Sequence, residues 1–278
     1  MNMLKPLYIT DLDGTLLRSD LKLSDYTRTV MNRAIHEGVN LTYCTARTYT
    51  AARSLLSGIQ FRLPAILLNG AIMVDPTEHK PIICNNLAFE IAADIIDKGN
   101  KYNLLPIVLN YDNIQETVMH FGLQNQAQCN LIKQLKAWHH PVSQQSRLMP
   151  SDTLLNLFFI APYEQLLPFQ EWIDSTYRDS VDVLIFEDSY NKGFFNLQIS
   201  NPRGNKGLMV QELAAFLGIP LSATTVFGDH VNDLSMFAVA GRKIAVGNAH
   251  ESVMQIADES ILSNDEDGVA KYLGELIS

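Results

Sequence analysis

Tyr8-Ile9-Thr10-Asp11-Leu12-Asp13-Gly14-Thr15-Leu16-Leu17 is the stretch on which the reading of this chain turns. The apolar run that follows Lys5-Pro6 reads as a buried strand, and it stops at two aspartates one residue apart. Carboxylates are rarely buried without a partner. Two of them at the end of a core strand ask for a counter-charge, most simply a divalent metal. Asp11 can act as a carboxylate nucleophile and form an aspartyl-phosphate. Asp13 can protonate a leaving oxygen and later deprotonate water. A free aspartate titrates near about 3.9, so Asp13 needs a neighbour or partial burial to hold a proton near neutrality. Gly14 lets the backbone turn sharply. The plain alternative is an ordinary Asp-Gly turn after a strand.

Outward from this stretch, strands and helices alternate. Ser24-Asp25 caps a helix with apolar positions at Val30, Met31, Ala34 and Ile35, ended by Gly38. Val39–Cys44 reads as a strand closing at Thr45-Ala46-Arg47, helical residues run from about Tyr49 to Leu56, and Ala65–Leu68 is a third short strand ending at Asn69-Gly70. This order implies right-handed crossovers and a parallel sheet. Ligands of such sheets sit outside the carboxyl ends of strands, where Asp11, Thr45 and Asn69 all fall.

The pattern then changes. Ala71–Val74 and Pro81–Cys84 flank the turn Asp75-Pro76-Thr77-Glu78. Ile107–Tyr111 and Gln115–Phe121 read as strands paired around Asp112-Asn113. With Leu154–Ile160, Val181–Glu187, Phe194–Ser200 and intervening helices, this block is an α+β module of mainly antiparallel strands. Alternation resumes at Asn201-Pro202-Arg203-Gly204, with helices from Lys206, Asn232, Ala249 and Gly268 and strands at Thr225–Gly228, Arg242–Val246 and Ser260–Leu262. The fold class is α/β: a Rossmann-like parallel-sheet core of residues 1–84 and 201–278, with an α+β domain of residues 85–200 inserted in it.

Val226-Phe227-Gly228-Asp229-His230-Val231-Asn232-Asp233 is the second strand that ends in acid. Asp229 can complete a magnesium site, since that ion takes oxygen ligands and keeps waters. Asn232 and Asp233 can orient Lys206 and a phosphate. Lys206 opens a helix after Gly204-Asn205 and can stabilise charge on Asp11 and on a transferred phosphoryl group. Thr45 can hold a phosphate oxygen or simply cap a helix. Arg47 reads as a solvated helix-start residue or a phosphate-side cation. His139-His140 reads as a solvated helix end and His230 as a bystander.

Composition narrows the classes. The 278 residues are 47% hydrophobic with net charge −9, which argues against a general nucleic-acid or anionic-membrane binder. Cys44, Cys84 and Cys129 are odd in number and widely spaced, as in a reducing compartment. No run approaches the roughly 20 apolar residues of a membrane span, and no secretory signal precedes Asp11. The expectation is a cytoplasmic protein.

Taken together, Asp11-Leu12-Asp13-Gly14-Thr15, Thr45-Ala46-Arg47, Lys206 and Gly228-Asp229-His230-Val231-Asn232-Asp233 resemble the haloacid-dehalogenase-like hydrolase superfamily, in its Cof-type branch with a large α/β cap. Asn69-Gly70-Ala71 is similar to that branch's segment after its third core strand. The resemblance implies Asp11 as nucleophile and magnesium ligand, Asp13 as acid and base with its backbone carbonyl on the Mg2+, and Asp229 as the remaining protein ligand. It implies the Leu12 and Ala46 amides, Thr45, Lys206 and Asn232 as phosphate-binding groups, with Asp233 standing behind the ligands. Ala46 departs from a frequent glycine, His230 from a small residue, and Gln198 from a frequent glutamate.

These readings lead to a magnesium-dependent phosphatase acting on a small phosphorylated metabolite, a sugar phosphate first. A binding or regulatory protein with little turnover, and a phosphotransferase using the same intermediate, stay open. In the inserted domain Tyr111, Asp112, Arg147, Glu187 and Asp188 read as surface or loop residues with the chemistry to touch a substrate.

Overall fold

The computed structural model describes residues 5–112, 115–188 and 191–277. Asn113, expected in a turn, lies outside them. The chain divides into two units, Met1–Ile83 with Asn205–Ser278, and Cys84–Gly204. In chain order the elements are β1 (Leu7–Thr10), α1 (Asp25–His36), β2 (Asn40–Tyr43), α2 (Tyr49–Leu55), β3 (Ala65–Leu67), β4 (Ile72–Asp75), β5 (Lys80–Cys84), α3 (Phe89–Lys101), β6 (Ile107–Tyr111), β7 (Glu116–His120), α4 (Gln126–Ala137), β8 (Val142–Gln144), β9 (Thr153–Ala161), α5 (Tyr163–Tyr177), β10 (Asp182–Glu187) and β11 (Phe195–Ser200). They continue with α6 (Lys206–Leu217), β12 (Thr224–Gly228), α7 (Leu234–Val239), β13 (Arg242–Ala245), α8 (Glu251–Met254), β14 (Glu259–Ser260) and α9 (Gly268–Leu276).

The first unit is built on a sheet of order β14-β13-β12-β1-β2, parallel throughout. β1 lies between two neighbours, and Leu7 and Ile9 are buried, as a strand covered on both faces requires. β3 joins β2 by a single parallel bridge, Cys44 to Ile66, and then pairs antiparallel with β4. It ends one residue earlier than its apolar run. Leu68 and Asn69 turn into the left-handed region, φ 52° and 56°, because their amides donate to the Arg47 and Thr45 carbonyls at the end of β2.

Two helices start later than their apolar pattern. Residues 231–233 form a 3-10 turn, so α7 begins at Leu234. The helix expected over Ala249–Ala257 shortens to α8. His250 is its N-cap and accepts from the Ser252 amide, and past Met254 the chain turns so that the Asp258 amide reaches the Lys243 carbonyl beside β13.

The second unit carries a sheet of order β10-β11-β9-β6-β7-β8, antiparallel except between β7 and β8. β8 has no clear apolar alternation and was not expected. One face holds Val108, Leu157, Phe159, Leu197 and Ile199, packed with Ile95, Leu166, Phe169 and Ile173. His140, expected in solvent, is buried, and Tyr111 is a buried strand residue, whereas Arg147 and Glu187 are exposed. No helix among the described residues is long and apolar enough to cross a membrane.

α6 starts at Lys206, capped by the Asn205 side chain on the Leu208 amide, and stops at Gly218 in the left-handed conformation. It packs on α7 closely enough that a Cβ on Gly207 would meet the Ser235 carbonyl oxygen at 2.3 Å. Gly207→Ala is therefore expected to push the two helices apart and lower the unfolding midpoint, by about 1–3 kcal/mol of overpacking. An unchanged midpoint in urea titration would show that the helices do not meet there.

Candidate active site

Thr10 pairs with Phe227, so β1 and β12 end at the same edge of the sheet, one in Asp11 and the other in Asp229. The Asp11 amide still donates to the Phe227 carbonyl, one step beyond the strand. The chain then turns at Gly14, φ 72°, where a Cβ would lie 2.4 Å from Asp229 Oδ2. Both the backbone and the approach of that carboxylate require glycine here. The turn returns the Thr15 hydroxyl to Asp229, donating to Oδ1 at 2.7 Å, and Asn248 donates to the Gly14 carbonyl.

Lys206 reaches the same edge. Its side chain is fully buried, and Nζ donates to Asp11 Oδ1 at 2.6 Å and to Asp233 Oδ1 at 2.7 Å. The other oxygen of Asp233 accepts from the amides of Asp229 and His230 at 3.0 and 3.1 Å. Asp11, Asp229 and Asp233 each offer an oxygen within 4.8 Å of the others. Three carboxylates thus face one ammonium.

The imbalance shows in the protonation of the groups. Burial works against the charge on Lys206, but Asp11 and Asp233 more than offset it and hold the ammonium above its ordinary range. Burial, with Asp233 and Asp229 beside it, raises the Asp11 carboxyl in spite of Lys206. Burial, opposed by the Thr15 hydroxyl and reinforced by Asp233, pushes Asp229 up to about 6. A second cation would relieve this cluster, and an all-oxygen donor set suits magnesium. Cys44 lies nearby, fully buried, and burial pushes its thiol up, which leaves it inert as a nucleophile.

Thr45, Ala46 and Leu12 stand at the same strand ends. Thr45 is buried after β2, its hydroxyl accepts from the Arg47 amide at 3.2 Å, and Ala46 is exposed. The Leu12 side chain is fully buried, so its backbone is what it can offer a ligand. Asn232 donates to Asn69 Oδ1 at 3.2 Å, tying the segment after β12 to the turn after β3.

Asp13 is held by Arg47. The guanidinium donates Nε to Oδ2 at 2.7 Å and Nη2 to Oδ1 at 2.5 Å, a two-toothed fork. Arg47 is thus not a solvated helix-start residue. α2 begins only at Tyr49, capped by Thr48, which leaves Arg47 in the loop with its side chain 10% exposed. His230 is exposed, its ring 6.0 Å from that of His250. Gln198 lies buried on β11 of the other unit.

Known proteins match the chain over nearly its whole length. Residues 8–273 match a family described as haloacid dehalogenase-like hydrolase. Phosphatase YwpJ of Bacillus subtilis (strain 168) is 26% identical over 286 residues, spanning 96% of this chain and 98% of the relative. The 5-amino-6-(5-phospho-D-ribitylamino)uracil phosphatase YitU of the same organism is 24% identical over 276 residues, spanning 99% and 98%. The crystal structure of a haloacid dehalogenase-like hydrolase from Bacteroides thetaiotaomicron has the same fold, with a TM-score of 0.81 at 22% identity over 98% of this chain and 100% of that one. A family match that runs almost from end to end, and relatives of the same length throughout, lead to one conclusion: the chain belongs to the haloacid dehalogenase-like hydrolases, in their Cof-type branch, and is an enzyme of the phosphatase class.

Proposed function

We propose that this enzyme is a magnesium-dependent phosphatase that hydrolyses a small phosphorylated metabolite, a sugar phosphate first, through an aspartyl-phosphate on Asp11. The observation that carries the reading is the uneven charge at the ends of β1 and β12, where Asp11, Asp229 and Asp233 gather around Lys206 alone. Asp11 meets Lys206 and Asp229 meets Thr15 through Oδ1, so each keeps a second oxygen for a metal. Both oxygens of Asp233 are already engaged, which suits a residue that positions Lys206. The Asp13 backbone carbonyl completes the proposed protein ligands. When bound, magnesium supplies positive charge to the transferring phosphoryl group.

The residues divide the rest of the work. Thr45, Lys206, Asn232 and the Leu12 and Ala46 amides hold phosphate oxygens. Asp11 attacks phosphorus while the ester bond to the leaving oxygen breaks, and Asp13 gives that oxygen its proton. Asp13 then takes a proton from water, whose oxygen attacks the acyl phosphate, releasing phosphate and restoring Asp11. Positioning and electrostatics supply most of the acceleration. We assign this chemistry to residues 1–84 and 201–278, and the choice of substrate to residues 85–200. The ribityl phosphate in the name of YitU supports a polyol or sugar phosphate as the first class to try. All three cysteines are unbridged, which fits action in the cytoplasm.

Phosphate release from a panel of sugar phosphates, polyol phosphates and nucleotides is expected with magnesium and not with EDTA. Asp11→Asn should lower turnover at least about a thousandfold, as loss of a nucleophile does, while its thermal unfolding stays cooperative. Equal rates with magnesium, with EDTA and in Asp11→Asn would sink the proposal.

The pH dependence has two opposite signs. Burial raises Asp229 to about 6, so in metal-free protein the folded state holds a proton that the unfolded state gives up nearer 3.9. Its contribution to stability is therefore lost as pH rises from about 4 through 6. Magnesium binds the ionised carboxylates, so its apparent affinity should fall about tenfold per pH unit below about 6 for Asp229 alone, and level off above. Melting temperatures between about pH 5 and 8 should show a magnesium-dependent rise that is small at the acid end and full at the other. A rise of equal size across that range would contradict this assignment.

A further inference from the structure

A cavity of about 320 Å³ opens in the same unit, between α2, the loop that follows it and the β4–β5 hairpin. This is the lower end of the size range of small-molecule sites. None of Asp11, Asp13, Thr45, Lys206, Asn232 and Asp229 lines it. Two aromatic pairs do. Tyr43 meets Phe61 edge to face, centroids 5.0 Å apart, and Tyr49 meets His79 at 5.8 Å, with the Tyr49 hydroxyl 2.6 Å from His79 Nδ1.

The charge of the wall is as specific as its rings. Arg53 lines the cavity, and its guanidinium makes no hydrogen bond or ion pair with another described residue. Among the described residues no Asp or Glu lines the cavity, in a chain with 30 of them and a net charge of −9. The wall therefore offers a cation and the accessible rings of Tyr49 and His79, with no carboxylate among the described residues that line it.

The hairpin is built to deliver one of those faces. Asp75 Oδ1 accepts from the Thr77 amide and hydroxyl and from the Glu78 amide, and the His79 amide donates to the Asp75 carbonyl. That turn holds His79, a residue with a Cβ, at φ 58°, a conformation that costs energy. What the strained position yields is an imidazole set against Tyr49 in the cavity wall.

We propose that this cavity is a second small-molecule site, which takes a planar aromatic anion. The ring lies against the Tyr49–His79 pair, with the buried Tyr43–Phe61 pair behind it, and the carboxylate or phosphate pairs with Arg53 through charge-assisted hydrogen bonds.

Naphthalene-2-carboxylate is a suitable probe, titrated into the full-length enzyme and followed by saturation-transfer NMR. Saturable binding is expected, with weaker binding of the neutral naphthalene-2-carboxamide and of the non-aromatic cyclohexanecarboxylate. Arg53→Gln should weaken the carboxylate at least about tenfold, equivalent to about 1.4 kcal/mol. His79→Gly, which keeps the left-handed turn and removes one wall, should weaken it as well. Phosphate release by Arg53→Gln should match that of the unaltered enzyme, and magnesium should not change how far inorganic phosphate displaces the probe. Displacement by phosphate that requires magnesium would place the probe in the carboxylate cluster and overturn the proposal. So would equal affinity in Arg53→Gln, equal affinity for the neutral amide, or no saturation at millimolar concentration.

Discussion

The ammonium of Lys206, held between Asp11 and Asp233 with no exposure to solvent, is the contact on which the rest of the site depends. A buried ammonium without partners costs several kcal/mol, so α6 must begin where both carboxylates can be reached. That position is open only because Gly207 lets α6 come down onto α7. Asp233, engaged by Lys206 on one oxygen, uses the other to bind the amides of Asp229 and His230 and so shapes the turn after β12. One ion-pair triad thus joins three segments and sets the direction of a third carboxylate, Asp229.

The same contact does not balance the charge. Two carboxylates use up the lysine, and Asp229 remains, partly buried and pushed up to about 6. A fold selected for stability alone would have a neutral side chain here or a second cation. Raised carboxyls at the meeting of two strand ends are a local cost carried by the apolar sheet beneath, where Leu7, Ile9, Val226 and Phe227 are buried. A divalent ion bound there would convert that cost into binding energy, because it would relieve repulsion that the folded chain has already accepted.

Much of this is visible in the sequence, for a definite reason. An apolar run that ends in aspartate contradicts burial, so Asp11 and Asp229 stand out without any structure. Strand–helix alternation places both at one edge of a parallel sheet. The partners that join them are less visible. Lys206 meets Asp11 across 195 residues, and only its place at the resumption of the alternating pattern sets it apart from a surface lysine. Arg47 and Asp13 are 34 residues apart, and no periodicity encodes their pairing, which depends on α2 starting at Tyr49, after the cap Thr48, and leaving Arg47 in a loop. β8 and the short α8 were obscured for a different reason: edge pairing and a side-chain cap decide them, and neither leaves an apolar rhythm.

Asp11 and Asp13 look alike in sequence and differ by their partners. Asp11 is buried against a lysine that stays charged. The Asp13 side chain is 41% exposed, and a guanidinium takes both of its oxygens. Arginine can only donate, and a carboxyl that carries a proton has lost one of the two acceptors this fork uses. On the proposed mechanism Asp13 must carry that proton before the leaving oxygen can take it. On that mechanism the two-toothed contact and the protonated acid are successive states of one pair, and passing between them breaks one of two charge-assisted hydrogen bonds. On the same mechanism the position of Arg47 would bear on the timing of proton transfer, although its guanidinium is never the group that gives the proton.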